Sequence, residues 1–504
     1  MNRTTLILFL IILSNTITVI HGYVRGCYYT NWAQYREGEG KFLPENIPNG
    51  LCTHILYAFA KVDELGDSKA FEWNDEDSEW SKGMYSGVTK LKETNPELKI
   101  LLSYGGYNFG SAIFTEIAKS AQKTERFIKS AIEFLRKNNF DGFDFDWEYP
   151  LGVAKEHAKL VEAMKSAFVE EAKTSGKQRL LLTAAVSAGK ETIDGSYDVE
   201  SLGKNFDLLF LMSYDLHGSW EKNVDLHGKL RPTKGEVSGI GIFNTEFAAN
   251  YWASKGMPKQ KIIIGIPMYA QGWTLDNPSK TAIGAAASRP SSASKTNPAG
   301  GTASYWEICK YLKEGGKETV DREGVGVYMV KGDQWYGYDN EETIKIKMKW
   351  LKEKGYGGAF IWALDFDDFT GKSCGKGPYP LLNAINSELE GESEWTENPE
   401  ITTEEPSITE TSETEETEET TYDTDITEET EETEETEETT YDTDITEDQE
   451  CPEPNGLFPH PTDCHLFIFC GNSNAYVKQC PANTFFNDAI KVCDHMTNAP
   501  DTCK

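Results

Sequence analysis

Asp144, Asp146 and Glu148 stand two residues apart in the run Asp141-Gly142-Phe143-Asp144-Phe145-Asp146-Trp147-Glu148. They alternate with Phe143, Phe145 and Trp147. An extended chain therefore puts three aromatics on one face and three acids on the other. A solvated surface strand would show the same alternation. Two things count against it here: carboxylates are not the polar residues that strands favour, and acids spaced about 6–7 Å apart along one strand face repel one another. Neighbouring carboxyls cannot all ionise easily, so one pKa rises and a proton is held. A carboxylic acid still protonated near neutral pH is what a leaving group needs as general acid.

The elements that would position these acids recur along the first 365 residues or so. Strand-like apolar runs occur at Tyr23–Trp32, His54–Val62, Lys99–Gly105, residues 142–148, Arg179–Ala188, Asp207–Tyr214, Lys261–Tyr269 and Gly358–Leu364. Several are apolar on both faces, as strands of a covered parallel sheet are. Helical patterns such as Lys123–Asn138 and Glu156–Lys173 lie between them. This order predicts an α/β fold, a (β/α)8 TIM barrel whose chemistry collects at the C-terminal strand ends. Tyr29 and Trp32 end the first strand, Glu148 the fourth, Asp215 the sixth (in Met212-Ser213-Tyr214-Asp215) and Tyr269 the seventh; Trp362 lies in the eighth. The gap between strands seven and eight is far longer than one helix needs. It predicts an α+β insertion over about 272–340, forming one wall of a cleft.

The run 141–150, Asp-Gly-Phe-Asp-Phe-Asp-Trp-Glu-Tyr-Pro, resembles the DGxDxDWE pattern of family 18 glycoside hydrolases, the chitinases. Ser103-Tyr104-Gly105-Gly106, Met212-Ser213-Tyr214-Asp215 and Tyr356-Gly357-Gly358-Ala359 with Trp362 extend the resemblance over about residues 23–390. Within the family the chain is most similar to the secreted endochitinases of filarial nematodes. The resemblance implies that Glu148 protonates the glycosidic oxygen and that the substrate's own 2-acetamido carbonyl is the nucleophile. It implies that Asp146 orients the acetamido N–H and passes charge between Asp144 and Glu148, and that Tyr214 hydrogen-bonds the acetamido oxygen. Trp362 would stack beneath the sugar at the cleaved bond. Tyr29, Trp32, Tyr107 and Trp220 are candidates for neighbouring sugar subsites, with core packing as the other reading of each. Phe59, Met212, Asp215 and Tyr269 complete the candidate substrate contacts. Two departures stand out. Tyr107 replaces the Trp common after the paired glycines, and Tyr269-Ala270-Gln271 replaces Tyr-Gly-Arg, which removes a charge.

The net charge of −33 is mostly local. Residues 391–450 carry 27 Asp and Glu and no Lys or Arg, which leaves −6 for the rest. This Thr- and Glu-rich segment repeats Thr421–Glu428 at Thr440–Glu447 and is expected to be a disordered, O-glycosylated linker. No basic patch suggests nucleic acid. Residues 1–22, an apolar run after Arg3, are expected to be a secretory signal peptide, so the protein is expected to be extracellular, with no membrane span. Disulfides are the default for its ten cysteines. Adjacent parallel strands are expected to bring Cys27 and Cys52 within bonding distance, which leaves Cys309–Cys374 to tether the insertion to the region after strand eight.

Six cysteines crowd residues 451–504, too small a unit to stand without staples. Spacing alone allows fifteen pairings. The module resembles the peritrophin-A type of chitin-binding domain, which implies Cys451–Cys470, Cys464–Cys503 and Cys480–Cys493. Among Phe467, Phe469, Tyr476, Phe485 and Phe486, some are expected to be exposed to sugar rings. The expected partners are chitin and chito-oligosaccharides, with no cofactor, no metal and a monomeric chain. A chitin-binding lectin without activity and an endo-N-acetylglucosaminidase acting on glycoproteins are the alternatives.

Overall fold

The computed structural model describes residues 22–233 and 241–390 and, in the C-terminal module, residues 452, 456–471, 474–479, 484–488, 492–495, 500 and 503. Apart from Gly22, the expected signal peptide and the expected linker lie outside the described residues. The chain divides into two compact units, before and after residue 403.

Eight parallel strands form the first unit: Val24–Thr30, His54–Val62, Lys99–Gly105, Gly142–Asp146, Leu181–Ser187, Leu208–Met212, Ile262–Pro267 and Gly358–Trp362. Strand one pairs with both strand two and strand eight, which closes the barrel. Both faces of these strands are buried along most of their length, Lys61 in strand two being exposed. Strand seven, Ile-Ile-Ile-Gly-Ile-Pro, has no exposed residue. One face fills the barrel with Tyr28, Leu56, Phe210, Ile263 and Phe360. The other packs under the helices, where Phe143, Phe145 and Trp147 lie with Phe114 and Phe127. Strand alternation thus sends Asp144 and Asp146 into the barrel, not into solvent.

The helices begin and end on local signals. Ser120 caps Ala121–Lys137 by accepting from the Lys123 N–H at 3.3 Å. Its Phe127, Ile128, Ala131 and Leu135 recur at helical spacing and are buried. Gly176, in the left-handed region at φ 69°, ends Ala154–Ser175.

The insertion starts earlier than residue 272. Only Met268 separates strand seven from Tyr269–Thr274, the hub of an antiparallel sheet. That strand pairs with Gln334–Tyr338 on one side and with Arg289–Pro290 and Thr302–Ser304 on the other. Gly326–Lys331 and Lys317–Asp321 extend the sheet, and helix Tyr305–Lys313 follows Ser304. A core of Trp273, Trp335, Leu275, Val224 and Leu226 holds it together. Tyr269 therefore belongs to the insertion and does not end strand seven.

Cys27 bonds Cys52 with Cα atoms 6.1 Å apart, and Cys309 bonds Cys374 at 4.9 Å, tying the insertion's helix to the loop after strand eight. In the C-terminal module, Gly456–Pro459, Leu466–Gly471 and Asn474–Gln479 form an antiparallel sheet, and Thr484–Asn487 pairs with Val492–His495. Cys464 bonds Cys503. The expected Cys451–Cys470 and Cys480–Cys493 bonds lie outside the described residues. Phe485 and Phe486 are buried, and Phe467 stacks on Phe486 with ring centroids 5.1 Å apart. The side chains of Phe469 and Tyr476 lie outside the described residues.

Candidate active site

A cleft of about 490 Å³ opens at the C-terminal ends of the strands. Asp146, Glu148, Tyr214 and Asp215 line it together with Tyr28, Trp32, Phe59, Tyr107, Met212 and Trp362.

The acids form a graded series. Asp144 is fully buried and accepts three hydrogen bonds: from the Tyr28 hydroxyl at 2.8 Å, Ser103 Oγ at 2.7 Å and Thr183 Oγ1 at 2.6 Å. Burial raises its pKa to about 6 even though these donors favour the charged form. Asp146 is also buried, yet its Oδ1 has no hydrogen-bond partner. Burial, then the charges of Glu148 and Asp144, push its pKa well up. Glu148 is half-buried at the mouth of the barrel. Burial, helped by the charge of Asp215, raises it to about 7, against a hydrogen bond from Tyr149. Burial thus raises all three carboxyls, and neighbouring charge adds to it at Asp146 and Glu148.

The paired glycines of the Ser103–Gly106 motif have a steric explanation. The Gly106 N–H donates to the Asp146 carbonyl at 2.8 Å. Gly105 has φ 116°, and a Cβ there would lie 2.2 Å from that carbonyl oxygen. A Cβ on Gly106 would lie 2.6 Å from the Phe59 ring.

An aromatic floor adjoins the acids. Trp362 stacks near Phe59 at 6.1 Å between centroids, and Trp32 lies 5.7 Å from Phe59 and 6.2 Å from Trp362. Tyr107, 80 % exposed, stands on the rim. One expected subsite residue is placed elsewhere. Tyr29 is fully buried on the outer face of strand one, against Phe42 and Tyr57. Its neighbour Tyr28 is the residue that faces the cleft. Tyr269 packs against Tyr214 with ring centroids 6.3 Å apart. Trp220 is 65 % exposed on the loop after strand six, with its ring over Gly218.

Asp215, three residues beyond strand six, has a side chain 45 % exposed. Burial opposes its ionisation, but His227 beside it, with hydrogen bonds from Gln271 and Tyr269, holds its pKa below the usual carboxylate value. Gln271 Nε2 donates to Asp215 Oδ1 at 2.7 Å. Gln271 is thus a partner of Asp215 and is itself buried.

In the small module, one sulfur each from Cys464 and Cys503 lies near a His465 ring nitrogen, all within 4.8 Å. The two sulfurs are bonded to each other, so they are not free thiolates for a metal.

A proton-holding carboxyl at a barrel mouth, two buried acids behind it and an aromatic floor define a glycoside hydrolase site. Residues 24–367 match the family of glycosyl hydrolases family 18, and residues 451–503 match the chitin-binding peritrophin-A domain. The chain belongs to glycosyl hydrolase family 18. It is 90 % identical to an endochitinase of Brugia malayi over the full length of both chains. Its fold superposes on an immunomodulatory active chitinase from Trichuris suis with TM-score 0.70 at 45 % identity, covering 73 % of this chain and all of that one. It is equally similar to human YKL-39, a pseudo-chitinase with retained chitooligosaccharide binding, with TM-score 0.69 at 42 % identity over the same shares.

Proposed function

We propose that the chain is a secreted, endo-acting chitinase that hydrolyses β-1,4-linked N-acetylglucosamine with retention. The observation that carries this is the row of acids. Glu148 keeps its proton to about pH 7, and the buried Asp146 beside it leaves one oxygen unpartnered at the cleft. Glu148 donates its proton to the glycosidic oxygen as the bond to C1 breaks. The acetamido carbonyl oxygen of the same sugar closes onto C1, forming an oxazolinium-type intermediate. The free Asp146 Oδ1 accepts the acetamido N–H, and once Asp146 has passed its proton to Asp144 its charge steadies the positive ring. Tyr214, buried and lining the cleft, donates its hydroxyl to the acetamido oxygen. Water then attacks C1 and gives its proton to Glu148. Two displacements at C1 retain the configuration.

The floor of Trp362, Phe59 and Trp32 suits the apolar faces of pyranose rings. The C-terminal module would hold insoluble chitin and keep the barrel at high local concentration near it. Hydrolysis of N-acetylglucosamine oligomers, with the first-formed product anomer followed by proton NMR, tests this. The β-anomer is expected first. An initial α-anomer rules out the acetamido mechanism, and binding without product makes the protein a lectin.

The pH dependence follows from Glu148. Its acid form is the active one, so activity is retained below its raised pKa. kcat on a soluble oligomer is expected to fall about tenfold per pH unit above roughly pH 7, where the proton is lost. A pH–rate profile with no fall below about pH 9 contradicts this.

A further inference from the structure

Asp215 is a non-glycine residue with φ 53°, a left-handed conformation that surrounding contacts must hold. His227, buried on the chain that returns from the loop after strand six, makes those contacts. One ring nitrogen, Nε2, lies 3.2 Å from the carbonyl oxygen of Tyr269. A carbonyl only accepts, so Nε2 carries the hydrogen. In the neutral ring Nδ1 is then the acceptor, and the Asp215 backbone N–H donates to it at 3.3 Å. The next amide, Leu216 N–H, donates to the His227 carbonyl at 3.0 Å. The ring also packs on Tyr269, with centroids 5.1 Å apart. His227 therefore ties the turn at Asp215 to the first strand of the insertion. The same strand supplies Gln271, which binds the Asp215 carboxylate.

We propose that His227 is a positioning residue for the hydrolytic site, holding Asp215 against the cleft by accepting its backbone N–H while its other ring nitrogen anchors on the insertion. Asp215 and Glu148 line the same cleft, so the place of one charge acts on the other. The groups facing the ring are the Asp215 carboxylate, from the turn after strand six, and the Tyr269 ring and carbonyl, from the insertion. The claim of an effect on hydrolysis rests on the chitinase reading; the claim of an effect on Asp215 does not.

The test uses the full-length chain carrying His227→Asn, His227→Gln or His227→Ala. An Asn amide oxygen reaches the place of Nδ1 and keeps the acceptor for Asp215. A Gln amide nitrogen reaches the place of Nε2 and keeps only the anchor on the insertion. kcat and KM on a soluble N-acetylglucosamine oligomer are measured across pH. The titration of Glu148 is followed by carbonyl infrared difference against the same protein carrying Glu148→Gln. His227→Gln and His227→Ala are expected to lower kcat about tenfold with smaller changes in KM, and to move the fall in kcat and the Glu148 titration to lower pH as the Asp215 charge withdraws. His227→Asn is expected to restore most of both. Equal losses in Asn and Gln without a pH shift overturn the proposal, as does wild-type behaviour in His227→Gln. If His227→Ala does not fold, the Asn and Gln pair decides. A wild-type protein that hydrolyses nothing refutes the chitinase reading instead, and the infrared titration still decides the placement of Asp215.

Discussion

Glu148→Gln is expected to cut kcat on N-acetylglucosamine oligomers about 10³-fold, within the roughly 10²–10⁴ that a general acid supplies, while binding persists. The substitution keeps the shape of the side chain and removes its proton. In the wild type that proton is present because burial lifts the Glu148 pKa to about 7. No second group replaces it from the same position. Asp146 and Asp144 lie deeper in the barrel, and Asp215 holds its charge through His227 and Gln271. Affinity comes from other surfaces, the stacked rings of Trp362, Phe59 and Trp32 and the separate chitin-binding domain. Product release and calorimetric binding on the same preparation check both halves. Activity within tenfold of wild type removes Glu148 as the acid and makes Asp146, the other raised carboxyl lining the cleft, the candidate.

The positions of the acids were legible because strand four combines a strict two-residue alternation with residue types that only burial under tension explains. The barrel was legible from eight apolar runs with helical patterns between them. The phase of strand one was not. Cys27, Tyr28 and Tyr29 are all apolar or aromatic and all buried, so alternation cannot say which tyrosine faces inward. Tyr28 is the inward one, and its hydroxyl on Asp144 is the contact that sequence could not assign. Tyr269 was misplaced for a related reason. The apolar run of strand seven continues without a break into the insertion, and only the antiparallel pairing with Gln334–Tyr338 and Thr302–Ser304 shows where the barrel stops.

Longer-range groups carried weaker signals. His227 is a lone histidine in Asp225-Leu226-His227-Gly228, and its partners Asp215 and Tyr269 come from two other segments. Buried acids also serve structure. Asp367 has its pKa raised to about 7 by burial, although it accepts from the Leu381, Leu382 and Asp368 amides. It thereby caps Pro380–Leu389 from a distant loop. Its setting among Phe366, Asp368 and Phe369 echoes the acid–aromatic pattern of strand four, yet it lies off the cleft. Alternating acids and aromatics therefore point to buried carboxyls in general. Only position at a strand end in the barrel separates the catalytic set from the structural one.

Asp146→Asn separates charge from hydrogen bonding at the centre of that set. Asn keeps an oxygen that can accept the acetamido N–H, the role assigned to the unpartnered Oδ1. It cannot carry the negative charge that steadies the oxazolinium, and it cannot exchange a proton with its neighbours. Loss of such a charge in a dry site lowers kcat about 10²–10³-fold. The pH profile should move little, because burial and the Asp215 charge, not Asp146, raise Glu148. A lower kcat with the fall still near pH 7 is therefore expected. A fall that begins well below pH 7 would mean that Asp146 also holds the proton on Glu148. An unchanged kcat would place the charge that stabilises the intermediate elsewhere, with Asp144, three hydrogen bonds deep in the barrel, too far enclosed to supply it directly.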